Sequence, residues 1–91
     1  MNIEERDNMI EEIVNEAIDK TRLQIFDLLR GVNRIGAIQI MQQAIYILNT
    51  HQVEDIPIVL KATVRKIGRS TPGIGYHLDD AADKVAKLLK E

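Results

Sequence analysis

The sequence predicts an all-α fold, an antiparallel four-helix bundle that forms a single domain over residues 1 to 91. Four segments repeat apolar residues three and four positions apart, as the buried face of a helix requires, and a sustained strand-like alternation is missing. The connections between these segments are short, which favours antiparallel neighbours. A chain of 91 residues supports one core, because two smaller cores could not each offset their ordering entropy.

The first helix is predicted over residues 3 to 30, either as one long helix or broken near Thr21. Asn2 can cap its start, with Glu5 three residues later as in a capping box. A continuous helix would be about 42 Å long, whereas a compact domain of this length is roughly 30 Å across. The helix therefore either breaks or protrudes and packs against a second copy, which favours a homodimer. Its predicted apolar residues are Ile10, Ile13, Val14, Ala17, Ile18, Ile25, Leu28, Leu29 and Val32.

The second helix is predicted over residues 34 to 49, with Asn33 as its cap. Its apolar face is unusually wide, and this width predicts a central, buried position in the bundle. The apolar residues that form this face are Ala37, Ile38, Ile40, Met41, Ala44, Ile45, Ile47 and Leu48.

The third and fourth helices are predicted over residues 56 to 67 and 78 to 90. Asp55 can cap the third helix, and Pro57 lies in its first turn, where a missing N–H costs nothing. Gly68 can end it. The fourth helix has an apolar stripe, and it carries acids early and lysines late, an order that suits the helix dipole.

Composition excludes several classes of function. The chain has no cysteine, so it contains no disulfide, thiolate metal site or cysteine nucleophile. Its 14 isoleucines make an aliphatic core, and the three aromatic residues offer few stacking platforms for single-stranded nucleic acid. No apolar run approaches the roughly 20 residues of a spanning helix, and the charged first residues do not fit a signal peptide. We expect a cytoplasmic protein.

A basic ridge is predicted on the third helix and the turn after it. Lys61, Arg65 and Arg69 recur at intervals of four, with Lys66 beside them. The ridge could bind an acidic protein, a nucleotide, nucleic acid phosphates or anionic lipid. It could equally be a solvated face, or it could neutralise the acids of the first helix, Glu5, Glu12 and Glu16. A pI near 5.7 argues against a dedicated nucleic-acid-binding protein.

A further motif favours a structural interpretation. Gly73-Ile74-Gly75 precedes a helix, as in some phosphate-binding loops. No strand precedes it, and Asp79 and Asp80 would repel an anion, so we interpret it as an interhelical turn that needs glycine.

The residues needed for metal binding or catalysis are sparse. His51 and His77 have acidic residues nearby but no further histidine at ligand spacing, so we predict surface or capping contacts and no metal site. Ser70 is the only serine, and no evident base accompanies it. We therefore predict neither an enzyme nor a cofactor.

A short motif carries a resemblance to a known family. Ile45-Tyr46-Ile47-Leu48 is followed by a polar linker and by Ile56-Pro57-Ile58-Val59-Leu60-Lys61, with Arg65 and Ile67 beyond. With the amphipathic segment from Leu78 to Leu89, this order resembles the pediocin-like (class IIa) bacteriocin immunity proteins, the enterocin A immunity family, over residues 40 to 90.

The resemblance implies an antiparallel four-helix bundle that stays inside the producing cell and protects it. It also implies a protein partner, the membrane-embedded mannose phosphotransferase permease that the bacteriocin targets. By position, Pro57 and Leu60 would be structural. The exposed side of the fourth helix, with Lys84 and Lys87, would belong to the recognition surface.

The leading functional hypothesis is thus a non-enzymatic immunity protein that acts through its surface. One alternative is an oligomeric phage- or plasmid-encoded protein that binds or sequesters a nucleotide with the basic ridge and the loop Ser70-Thr71-Pro72-Gly73. Another is a small nucleic-acid-associated regulator that uses the third helix. The predicted partner-binding residues are Lys61, Arg65, Lys66, Arg69, Lys84 and Lys87.

Overall fold

A computed structural model describes residues 1 to 69, 71 and 73 to 91. This part of the chain forms four α-helices and contains no strand, which confirms the predicted all-α four-helix fold. A short 3₁₀ helix, Val53–Asp55, precedes the third α-helix. The helices are α1 (Ile3–Leu28), α2 (Gly31–Thr50), α3 (Ile56–Gly68) and α4 (Tyr76–Lys90).

The first helix, α1, is continuous through Thr21, so the long form of the prediction is correct. Thr21 is fully buried, and its hydroxyl donates to the Ala17 carbonyl oxygen at 2.8 Å, which satisfies the polar group inside its own helix. At the start of the helix the Glu5 N–H donates to Asn2 Oδ1 at 2.8 Å, which confirms the predicted cap. The molecule measures 44 × 21 × 17 Å, so α1 fits along its long axis.

Two arginines that follow α1 donate hydrogen bonds to carbonyl oxygens at its end. The last turn of α1 contains no basic residue of its own. Arg30 Nη1 donates to the Phe26 carbonyl oxygen at 3.0 Å. Arg34 donates to the same oxygen at 2.7 Å and to the Leu29 carbonyl oxygen at 3.0 Å. The Arg34 guanidinium carbon also lies 5.2 Å from the centroid of the Phe26 ring. These bonds satisfy carbonyls that a helix end leaves without partners.

The predicted start of α2 at residue 34, with Asn33 as its cap, is wrong. The helix begins at Gly31, and the Arg34 N–H already bonds the Arg30 carbonyl oxygen at 3.4 Å, so Asn33 lies inside the first turn. Gly31 has φ +58°, a conformation that lets the chain reverse directly after α1.

The helices pack in antiparallel pairs. Met9 and Leu88 line one groove between α1 and α4, while Lys20 and His77 line another further along the same pair, so the two helices run in opposite directions. α4 also packs against α3, and α3 packs against α2. The buried core residues are Ile10, Val14, Ala17, Ile18, Ile25, Leu29, Ala37, Met41, Leu60, Ile67, Ile74, Leu78, Ala81, Ala82 and Val85.

The predicted central burial of α2 is wrong. Only Ala37, Met41 and Ala44 of this helix are buried. The physical reason is the extent of packing: α2 contacts α3 and the second half of α1 less extensively than α4 contacts α3 and α1. Val32 and Leu28, which the sequence pattern adds to the apolar stripe of α1, are exposed.

In the described part of the segment between α3 and α4, Thr71 and Ile74 are buried. Gly73 and Gly75 have φ of +93° and +100°, in agreement with the predicted need for glycine. Ile74 is buried between them, and the Thr71 hydroxyl donates to the Ile67 carbonyl oxygen at 2.8 Å. No described helix combines the length and the apolar character needed to cross a membrane.

Candidate interaction surfaces

The predicted basic ridge is divided by an ion pair between α3 and α4. Lys61 Nζ lies 2.7 Å from Asp79 Oδ1 and 3.0 Å from Asp83 Oδ1. The hydrogen bond to Asp79, and then the one to Asp83, raises the pKa of Lys61 above its ordinary value. The positive charge of Lys61 is therefore shared with two carboxylates of the neighbouring helix.

The remaining cations of the ridge form a basic end of α3. Arg65, Lys66 and Arg69 are exposed, and the described residues contain no ion pair with any of them. Arg65 and Lys66 lie in the last turn of the helix, where its dipole favours cations.

One of the α1 acids that the ridge could neutralise, Glu16, is paired within its own helix. Glu16 Oε1 lies 2.8 Å from Lys20 Nζ within the same helix. Hydrogen bonding to Lys20 lowers the pKa of Glu16, and the same bond raises the pKa of Lys20. Both side chains are largely exposed, so water screens this pair strongly.

The predicted lysines of α4 border an apolar groove. Met9, Ile13 and Leu88 form the apolar part of this groove between α1 and α4. Lys84, Lys87 and Glu91 surround it, and its volume is about 210 Å³. We call this set of residues the α1/α4 groove.

A second, charged depression lies next to the α1/α4 groove and shares Ile13 and Lys84 with it. Its charged and titratable residues are Glu16, Lys20, His77, Asp80 and Lys84. The His77 ring lies against the Tyr76 ring, with centroids 4.1 Å apart. These groups stand on an open surface, where their charges stay hydrated.

His51 lies at the end of α2 and caps it, as predicted. Its contacts are with a backbone carbonyl and a hydroxyl group, whereas contacts with nearby acidic residues were expected. Its Nδ1 lies 3.0 Å from the Ile47 carbonyl oxygen and 3.3 Å from the Thr50 hydroxyl, at the end of α2. In the described part of the chain, no group of three histidine or acidic side chains could hold a metal ion. Ser70 and Pro72, which belong to the predicted nucleotide-binding loop, lie outside the described residues.

Sequence reasoning missed one surface, the exposed side of α2. The available signal is composition: Arg34 is the single charged residue among the 20 of this helix. Such a composition predicts burial, whereas Val32, Ile35 and Tyr46 are exposed.

The fold and these surfaces define a small helical bundle whose charged and apolar residues meet in shallow grooves between helices. Comparison with known proteins gives no match, since no family model, no curated protein and no solved structure is significantly similar to this chain.

Proposed function

We propose that this protein is a non-enzymatic, cytoplasmic immunity protein of the pediocin-like type, which protects a bacteriocin producer by binding a protein partner. The observation that carries the proposal is the α1/α4 groove. It lies at the part of α4 that the family resemblance assigns to recognition, and it includes both Lys84 and Lys87.

The composition of the groove suits protein recognition. Met9 is exposed and Ile13 and Leu88 are partly buried, and apolar side chains of this kind surrounded by charged ones are typical of a docking surface, because burial of the apolar part drives association and the polar rim gives orientation. Met9 adds a flexible, polarisable side chain that adapts to a partner. Lys84 and Lys87 would accelerate the approach of an acidic partner segment. By the resemblance, this partner is the targeted permease complex.

The test is expression of the full chain in a bacteriocin-sensitive strain, followed by challenge with several pediocin-like peptides. We expect at least one peptide to require a concentration about tenfold higher for killing. Lys84→Glu combined with Lys87→Glu should remove the protection while the helical circular dichroism spectrum stays unchanged. Lys90→Glu, an exposed lysine on the same helix that does not line the groove, is the matched control. Unchanged sensitivity to every peptide would refute the immunity proposal.

A second candidate function uses the basic end of α3. The absence of an ion pair at Arg65, Lys66 and Arg69 among the described residues favours an anionic ligand there, such as a nucleotide. In that case nucleotides should raise the melting temperature, and Arg65→Ala or Arg69→Ala should abolish the shift. A panel of nucleotides that leaves the melting temperature unchanged would exclude this candidate. The nucleic-acid regulator and the homodimer based on the length of α1 stay predictions from the sequence.

A further inference from the structure

The exposed side of α2 forms a stripe without charge. Its residues follow one another at alternating intervals of three and four, which places them along one side of the helix. Val32, Ile35 and Tyr46 are 84%, 58% and 70% exposed, so three large apolar side chains meet solvent there. We call this stripe the α2 face, and its members are Val32, Ile35, Gln39, Gln42 and Tyr46.

The one charged side chain of α2 does not contribute to this face. Arg34 is directed towards α1, where it bonds the carbonyl oxygens of Phe26 and Leu29. Beside the α2 face, Gln42 and the half-exposed Phe26 line the same shallow depression, which the exposed Arg22 of α1 also lines, so the uncharged surface ends at α1. A helix with apolar residues all around is usually buried. Here one side of such a helix has no neighbour within the described part of the chain.

The accessible surface of the protein is large for its mass. The chain exposes 5945 Å², whereas the scaling relation for folded monomers gives about 5,350 Å² for 10.3 kDa. The excess of about 600 Å² belongs to the elongated molecule as a whole, and the exposed α2 face is one of the surfaces that contribute to it.

We infer that the α2 face is the interface of a homodimer, in which the α2 helices of two copies pack antiparallel across a twofold axis near Gln39. A twofold interface brings a patch against itself, so the patch must be self-complementary. The uncharged α2 face meets this condition without repulsion. The amide of Gln39 contains both donors and an acceptor, so it can pair with its own copy.

Other surfaces of the molecule do not meet the same condition. Residues 1 to 19 contain seven acids and one base, and the end of α3 contains Arg65, Lys66 and Arg69. A twofold axis through either region would bring like charges together. The α2 face is therefore better suited to a second copy of this chain than either of these charged regions.

The spacing along the α2 face fits an antiparallel pair. Val32 and Tyr46 each lie seven residues from Gln39, so an axis at Gln39 places Val32 of one copy opposite Tyr46 of the other. Val32 of each copy then packs on the Tyr46 ring of the other copy, so this contact forms twice in the dimer. Because the α2 face has five residues, fewer than the roughly 20–30 that each side of a standard interface contributes, we expect a dimer that dissociates at micromolar concentrations.

Sedimentation velocity on the full chain across the micromolar range tests the dimer. The sedimentation coefficient should rise with concentration, and Ile35→Glu or Gln39→Glu should weaken the dimer at least tenfold by placing like charges near the axis. Ile3→Glu adds the same charge at an exposed isoleucine at the start of α1 and should leave dimerisation unchanged. A monomer at every concentration, or equal weakening by Ile3→Glu, would overturn the inference.

Thiol cross-linking tests the orientation, because the natural chain has no cysteine. Gln39→Cys should be joined rapidly by a short bis-maleimide. Val32→Cys should react poorly, since the two copies of this position would be about 21 Å apart along the helices. Both variants keep the surface uncharged, and their circular dichroism spectra report the fold. Equal cross-linking at both positions, or cross-linking at neither, would contradict the antiparallel arrangement.

Discussion

Lys61 joins α3 to α4 by contacting two carboxylates at once. Asp79 and Asp83 lie one turn apart on α4, so both reach the same ammonium group at 2.7 and 3.0 Å. All three side chains are partly exposed, and exposed pairs contribute little to stability individually. A cation shared between two acids also relieves the repulsion between those acids. Removal of the Lys61 charge should therefore remove both contacts and leave the two carboxylates to repel each other.

Replacement of Lys61 by Met should lower the denaturant midpoint near neutral pH. The raised pKa of Lys61 means that its contribution is fully present below the unfolded-state value of 10.5. The contribution is lost as the pH rises through the higher folded-state pKa. The difference between wild type and Lys61→Met should therefore shrink in strongly alkaline solution.

Lys66→Met is the matched control for this experiment, because Lys66 is an exposed residue of the same helix without a described ion pair. Its midpoint near neutral pH should fall less than that of Lys61→Met, because Lys66→Met loses the interaction of a cation with the helix dipole but no described ion pair. Equal midpoints for Lys61→Met and Lys66→Met at neutral pH would show that the α3–α4 ion pair has no role in stability.

Glycines have opposite roles in different elements of the bundle. Gly36 lies inside α2, and a Cβ added to it would meet no other atom within 4 Å, so a side chain has room there. Gly75 precedes α4 with φ +100°, a backbone conformation that L-residues rarely adopt. The nearest atoms to a Cβ at Gly75 belong to Val64 at 3.8 Å, so the backbone, not the space, requires glycine.

Two alanine substitutions should separate these roles. Gly36→Ala should raise the free energy of unfolding by about 0.5–1 kcal/mol, because alanine restricts the unfolded chain and favours the helix. Gly75→Ala should lower it by roughly 1–2 kcal/mol, because of the left-handed backbone. Urea denaturation measures both. A Gly75→Ala variant as stable as the wild type would show that this turn relaxes to another conformation.

Sequence periodicity predicted where the helices lie along the chain better than which helices pack against one another. The start of α1 at Asn2 and the position of Pro57 in the first turn of α3 follow from local chemistry, and the structure has both. The contacts of Lys61 could not be predicted in this way, because periodicity shows which residues share a face and not which helix that face meets. Asp55 precedes α3 as expected, but its side chain makes no capping bond, since a 3₁₀ turn leads into the helix instead.

The position of α2 shows a further limit of sequence patterns. An amphipathic helix indicates both its buried side and its exposed side, whereas the wide apolar face of α2 indicates the buried side alone. The residues predicted for its inner face are buried or partly buried, as Met41 and Ile45 illustrate. The incorrect part of the prediction was burial of the opposite side of α2, where Val32 and Tyr46 are exposed.

The whole molecule is more elongated than its length suggested. A long dimension of 44 Å accommodates α1, whose 26 residues span about 39 Å. An elongated bundle exposes more surface per residue than a sphere, and this shape leaves one side of α2 without cover. The same shape separates the α1/α4 groove from the α2 face, so partner binding and self-association would use different surfaces.

The antiparallel contact between α1 and α4 has a consequence for the kinetics of folding. Ile13 and Lys84 line the same groove although 71 positions separate them, whereas Lys61 and Asp79 are 18 positions apart. Closing the longer loop costs about 1.2 kcal/mol more in chain entropy. We therefore expect α3 and α4 to associate in the folding transition state, and α1 to dock afterwards. In stopped-flow experiments Leu60→Ala should slow refolding, whereas Ile10→Val should mainly accelerate unfolding.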